Sequence, residues 1–388
     1  MKITPDFRLL GIDSLEELEA AMSTVHANRD KDMGVYVKAL DKRRGALRDA
    51  AFLQLILTWA RLSPKANIHL LSSTGASMED VLAEACGYCV GIAAIATAGG
   101  IIVNGTALSR ALALAPGKER IEWAYQGKFD QLMKGRTVDL LCVSGAQRQY
   151  VKPLFNAPSP VAVKDKYDLK ATVRALASRA GPGILLDDRT VSALATLTHE
   201  LVENMQEHAV TNTDGHAYRR HVEYVSASWV VISDEADQND LTVNSSLRRY
   251  WEGLMQLQPG SRQVAGVCFS FLDSGPGMAA RLTGKQYYNM ELEEERQALR
   301  NCLRMHVTSK NQQGTGGGLQ AVLTEVAQAY GFVRVRSGRQ AIFRCFAPGD
   351  DIGNVCENFE DWYEDNRELY RTAGTLISVF IPLPRQHS

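Results

Sequence analysis

Glu200, Asn204 and His208 stand four residues apart in Thr198-His199-Glu200-Leu201-Val202-Glu203-Asn204-Met205-Gln206-Glu207-His208, so on a helix they share one face. Leu194, Leu197, Leu201, Val202 and Met205 supply the opposing apolar stripe, which leaves the polar row facing a cleft or water. The Asn204 side-chain oxygen is a hard, uncharged donor suited to Mg²⁺, leaving the ion's charge for phosphate. Glu200, one turn earlier, has the chemistry of a general base toward a water or hydroxyl attacking a γ-phosphate. An ordinary solvated helix face carries the same pattern.

Asp273 follows the apolar run Val264 to Leu272, which reads as a buried strand ending in a turn. A carboxylate there can accept a hydrogen bond from an exocyclic amine such as that of adenine. In Asp273-Ser274-Gly275-Pro276-Gly277-Met278, the two glycines let the backbone approach a ligand and the proline fixes the bend. Good turn chemistry alone produces the same letters. Gly314-Thr315-Gly316-Gly317-Gly318-Leu319 leaves backbone N–H groups uncovered just before a helix, the form of a phosphate cradle. It lacks the Gly-Lys-Ser/Thr ending of a P-loop, and no dinucleotide Gly-x-Gly-x-x-Gly opens the chain. Lys310 is either a phosphate-directed charge or a solvated lysine.

Taken in order, Glu-x-x-x-Asn, Asp-x-Gly-x-Gly, Gly-x-Gly-x-Gly-Leu and the closing Gly374-Thr375-Leu376-Ile377-Ser378-Val379-Phe380 resemble the motifs of the GHKL ATPases, the superfamily of gyrase B, the ninety-kilodalton heat-shock chaperones, histidine kinases and MutL. The resemblance spans residues 165 to 385. It implies an ATP-binding two-layer α/β sandwich with a mixed sheet backing helices. It further implies that Asn204 coordinates Mg²⁺, Asp273 binds the adenine amine, Gly275 and Gly277 line the base pocket, and Gly314 to Gly318 close on the phosphates. Thr375 matches the threonine that helps hold adenine. Met278, Leu319, His208 and Lys310 complete the implied ATP site.

Glu200 matches the general base of members that hydrolyse ATP or phosphorylate serine, a residue that histidine kinases usually lack. His199-Glu200-Leu201 looks like the start of a phosphoacceptor box, but here it runs straight into Asn204, so His199 reads as a helix residue of the nucleotide site. His-Glu-x-x-His is not completed, because position 203 is Glu. Two departures stand out. A long connection holding Asp234 to Asp240 separates the first two motifs and reads as an exposed loop or a partner-contacting insertion. Met290 to His306, charge-rich with apolar residues at 292, 299, 302 and 303, reads as a lid helix.

The elements that must hold these residues begin with an alternating N-terminal half: strand Phe7 to Leu10, helix Ser14 to Val25, strand Gly34 to Ala39, helix Leu47 to Leu62 and strand Asn67 to Leu71. The rhythm, though no residue motif, is similar to that of STAS domains. Ser77 reads as a helix cap, and Asn156 to Pro160 as a linker. The expected organisation is an α/β sensing or docking domain at 1–155 and a GHKL-type ATP-binding domain at 165–388.

With 388 residues and a formal net charge of −1, the chain is long enough for two cores, and its charge gives no indication of nucleic-acid binding. Seven cysteines without a signal-like N-terminus predict a reducing, cytoplasmic location. Cys86 and Cys89 fall in an apolar helical pattern and read as buried structural cysteines rather than half a zinc site. The uncharged run from Ala85 to Val103 is long enough to raise a membrane span. It breaks at Ala98-Gly99-Gly100, which favours a buried helix followed by a strand, and no membrane association is expected. The chemistry expected of the chain is that of an Mg-ATP hydrolase acting as a conformational switch on an unidentified protein partner or on a second copy in a homodimer. The alternatives are a Ser/Thr kinase of the anti-sigma-factor type and a nucleotide-binding module without turnover.

Overall fold

The computed structural model describes residues 4–73, 75–146, 148–156, 162–181, 186–233, 238–241, 243–257, 263–305, 318–350, 352–365 and 367–383. Two sheets organise this α/β chain. The first contains β1 (Phe7–Leu9), β2 (Met33–Tyr36), β3 (Asn67–Leu71), β4 (Gly100–Val103) and β5 (Thr106–Leu108) in sequential order. Its first four strands are parallel and β5 returns antiparallel. The return is a two-residue turn at Asn104 (φ 51°) and Gly105 (φ 82°), the positive-φ pair that an Asn-Gly hairpin requires.

β6 (Thr137–Val143) precedes a short hairpin of β7 (Phe155–Asn156) and β8 (Ala162–Val163). With β9 (Val222–Ser233), β10 (Gln263–Asp273), β11 (Phe332–Gly338), β12 (Gln340–Cys345), β13 (Glu360–Asp361) and β14 (Thr372–Pro382), β6 forms a seven-stranded sheet of order β13-β12-β11-β14-β10-β9-β6. Thus Thr137–Val143, which lies before the Asn156 to Pro160 linker region, is an edge strand of the second sheet. Residues 157–160 lie outside the described residues.

β10 explains its own unbroken apolar sequence. Val267, Phe269 and Phe271 point into one core, shared with Leu194, Leu197 and Leu201, while Val264, Cys268 and Leu272 point into the other. Successive strand residues alternate faces, so a strand covered on both sides has no polar face to show. One side is covered by the helices Lys166–Ala180, Asp188–Asn204 and Gly318–Gln328. The other is covered by Ala46–Leu62, whose Gln54 and Thr58 reach the β14 backbone, and by Ser245–Gln256. Ala46–Leu62 packs in the same core as the first sheet, so the two sheets share one hydrophobic cluster.

Most N-terminal elements follow their sequence signals. Ser14 caps Leu15–Ala27 in a capping box with Glu17, and Ser77 caps Met78–Ala85. The strand expected from Gly34 to Ala39 stops at Tyr36, and Val37–Asp41 is a short helix that buries Val37 and Leu40. The uncharged run resolves into Met78–Ala85 and Cys89–Thr97, bent by 109° relative to one another, followed by β4. All nine residues of Cys89–Thr97 are buried in the protein. Among the described residues no single helix is long and apolar enough to cross a membrane. Cys86 and Cys89 are both buried and unbridged, and burial pushes the Cys86 thiol up to about 11.

Candidate functional site

A cavity of about 380 Å³ opens at the carboxyl end of β10, lined among others by Asn204, His208, Asp273, Gly277, Met278 and Thr375. These six come from motifs separated by up to 171 positions, Asn204 to Thr375, and the volume is in the range of small-molecule sites. Apolar walls come from Leu201, Met205, Phe271 and Ile377.

The floor is built by backbone bonds to one carboxylate. Asp273 Oδ1 accepts from the Gly275 N–H at 2.7 Å, and Oδ2 accepts from the Thr375 N–H at 3.2 Å. Gly374 N–H donates to the Gly275 carbonyl at 2.8 Å, so the turn after β10 is tied to the start of β14. Burial raises the Asp273 pKa above the ordinary carboxylate value, against the backbone donors that lower it. Gly275 is packed so closely on Ala209 that a Cβ would lie 2.7 Å from its Cα. Gly277 has φ 91°, open to glycine, and starts the Met278–Thr283 helix, whose first N–H is taken by Ser337 Oγ at 3.0 Å. Ser337 Oγ also lies 2.9 Å from Thr375 Oγ1.

Glu200 and Asn204 lie on the Asp188–Asn204 helix, with Leu194, Leu197, Leu201 and Val202 buried behind them. The α-helix then passes into a π-helical turn, Met205–Ala209, which carries His208. His208 still lines the cavity, half-exposed, from this wider turn rather than from a continuous α-helical row. A recess of about 20 Å³, sharing Leu201, Asn204, Met278 and Ile377 with the main cavity, is lined by Glu200 and by Leu319 from the first turn of Gly318–Gln328. Asn204 therefore borders both spaces. Lys310, Gly314, Thr315, Gly316 and Gly317 lie outside the described residues; Gly318 opens the helix.

His199 is not among the cavity residues: its Nδ1 donates to the Lys164 carbonyl at 2.9 Å, a bond that fixes the helix to the segment before Lys166–Ala180. The segment expected as a lid is the helix Leu292–Met305, with Leu299 and Leu303 buried and Cys302 on the cavity wall. Its Glu295 is 3% exposed and takes the Arg339 guanidinium at 2.6 Å, anchoring the helix to the β11–β12 turn. His306 lies outside the described residues.

Several residues of the site carried no sequence signal. Arg281 and Cys302 line the cavity, and Ser337 joins Met278 to Thr375 from a strand with no motif. Behind Asp273, Ser274 Oγ accepts from the Val222 N–H at 2.8 Å and lies 3.2 Å from His221 Nδ1. His221 Nε2 is 3.2 Å from Glu223 Oε1, which also accepts from Gln206 of the π-helical turn. This buried network links the end of β10 to the helix that bears Asn204. Among the described residues no three His, Cys, Asp or Glu side chains converge on a metal position. An Mg²⁺ bound mainly by phosphates and water, with Asn204 as a protein ligand, needs no such cluster.

The chain was compared with protein-family models, with curated proteins and with solved structures, and none matches.

Proposed function

We propose that the chain binds Mg-ATP in the manner of a GHKL ATPase and uses the nucleotide as a conformational switch on a partner protein or on its own assembly. The observation that carries this reading is the single cavity gathering Asn204, Asp273, Gly277 and Thr375, with Glu200 in the adjoining recess. In this reading Asp273 accepts the adenine amine, with its carboxylate already oriented by the Gly275 and Thr375 N–H groups. Met278 and Ile377 supply apolar contact to the base, and Asn204 is the residue that would hold Mg²⁺. The metal supplies charge neutralisation for phosphoryl transfer. Glu200 orients and deprotonates the attacking water. Leu292–Met305, which borders the cavity through Cys302, is the element that nucleotide binding would reposition.

The test follows γ-labelled ATP with Mg²⁺ and the purified chain, beside Glu200→Ala. Release of free phosphate, abolished in the variant while ATP is still bound, is the expected outcome. Transfer of label onto a protein band when cell extract is added would make the chain a Ser/Thr kinase using the same base. Failure of the chain to bind ATP at all would refute the reading.

A further inference from the structure

We propose that the junction between the two sheets holds a second ligand site, for a phosphate-bearing small molecule, in the cavity lined by Arg61, Lys65, Arg219, Arg220, Tyr218 and Ser274. This cavity encloses about 440 Å³, on the opposite side of the Asp273-Ser274 turn from the candidate nucleotide pocket. It is independent of the ATP reading, because none of its lining residues is shared with that pocket.

Four cations line it and no carboxylate does. Four cations around one cavity whose lining holds no acid repel one another. None of the four forms an ion pair with a described carboxylate. Arg61 is spread over the Tyr218 ring, with its guanidinium carbon 3.6 Å from the ring centre, and donates to the Ser274 carbonyl (2.8 Å) and hydroxyl (3.1 Å). Arg220 donates to the carbonyls of Thr97 and Ala98 at the end of the Cys89–Thr97 helix. Arg110, outside the cavity lining, donates to the same Ala98 carbonyl at 2.7 Å, bringing a further guanidinium to this end of the cavity. Every hydrogen-bond acceptor here is a neutral oxygen; the Asp273 carboxylate acts on Arg61 through space, without an ion pair. Burial pulls the Arg61 pKa down to about 10, still leaving it charged at neutral pH.

Arg61 and Arg220 are held by the bonds above, whereas Lys65 and Arg219 are exposed residues of the same lining. Guanidinium forks held in place beside further cations suit the several oxygens of a phosphate better than a single carboxylate. Leu57, Ala60 and Ala217 line the same cavity and leave an apolar wall for an uncharged body attached to the phosphate.

The test is calorimetric titration of the full chain with pyrophosphate in the absence of Mg²⁺. The variants are Lys65→Glu/Arg219→Glu, its milder counterpart Lys65→Gln/Arg219→Gln, and Asn204→Asp; thermal unfolding checks that each is folded. Saturable binding of one pyrophosphate per chain is expected. It should weaken at least tenfold in the charge-reversed pair, less in the glutamine pair, and stay unchanged in Asn204→Asp. Absence of saturable binding, or equal binding by the paired variants, overturns the proposal. Weakening confined to Asn204→Asp, which adds a negative charge to the wall of the other cavity, would place the anion there and overturn the proposal as well. Saturable binding of polyglutamate in place of pyrophosphate would assign the surface to an acidic peptide and sink the small-molecule reading.

Discussion

Asp273 ends β10, Thr375 lies near the start of the antiparallel β14, and the carboxylate of the first holds the backbone N–H of the second at 3.2 Å, one step beyond the last residues the two strands pair, Leu272 and Leu376. The bond lies in the floor of the cavity that both residues line. Asp273→Asn keeps one acceptor for this geometry and loses the charge that would receive an exocyclic amine. It is expected to weaken adenine-nucleotide binding at least tenfold, about 1.4 kcal/mol, with a small change in unfolding free energy. Asp273→Ala removes both acceptors, leaves the Gly275 and Thr375 N–H groups unpaired, and should cost about 1–3 kcal/mol of stability. Calorimetry with ATP and urea denaturation separate the two effects; unchanged ATP affinity in Asp273→Asn would remove the residue from base recognition.

Gly374 makes that bond possible. Its φ is 62°, and a Cβ would lie 1.8 Å from the Asp273 carbonyl oxygen, on rigid backbone. Gly374→Ala is therefore expected to cost at least about 2 kcal/mol of stability and to abolish nucleotide binding by displacing Thr375. A variant with wild-type unfolding midpoint and wild-type ATP affinity would show that the turn does not need glycine.

Asn204, Asp273, Gly277 and Thr375, which line one cavity, stood out in the sequence because of their residue types and the restricted turns beside them. Arg281, Ser337 and the His221–Glu223 pair were not, since serines, arginines and histidines of ordinary strands and helices look the same with or without a site. The burial of β11 has no local sign in the sequence. Arg334 and Arg336 alternate with Val333 and Val335, the pattern of a strand with one solvated face, yet both arginines are at most 2% exposed. Arg336 is clasped by Glu19 at 2.8 and 2.9 Å, and Arg334 stacks over Trp362. Their partners lie 317 and 28 positions away, so no local pattern announces them. The π-helical turn at Met205–Ala209 was invisible for the same reason: an i, i+4, i+8 row is compatible with it only through packing.

The seam between the sheets turns on Gln54. Its side-chain amide reaches the Arg336 carbonyl (3.2 Å), Thr372 Oγ1 (3.2 Å) and the Ala373 carbonyl (3.1 Å), while Thr58 Oγ1 accepts the Ala373 N–H at 2.9 Å. Gln54 is 1% exposed, so water cannot replace these bonds. Gln54→Ala should lower stability by about 2 kcal/mol in urea denaturation. It should also weaken ATP binding, because Ala373 immediately precedes the Gly374-Thr375 wall of the cavity. A loss below about 0.5 kcal/mol, the range of ordinary surface changes, would mean that the seam is held by apolar packing alone.

Asp49 gives the same seam a pH dependence. Burial raises its pKa from 3.8 to about 6, outweighing the Arg44 and Gly45 N–H bonds and the Arg43 and Arg44 charges that oppose it. The folded protein then holds this proton more tightly than the unfolded chain between about pH 4 and 6. Stability contributed by the group falls as pH rises through that window and is lowest above it, by an amount on the order of 2–3 kcal/mol. Asp49→Asn keeps an oxygen for the Arg44 N–H, cannot ionise, and should remove this slope, so that the variant gains on the wild type as pH rises from 4 to 7. Unfolding free energies in urea across that range read the difference directly. Parallel curves for the two proteins would mean that Asp49 ionises in the folded state as readily as in the unfolded one, and that its bonds to the Arg44–Gly45 turn offset its burial.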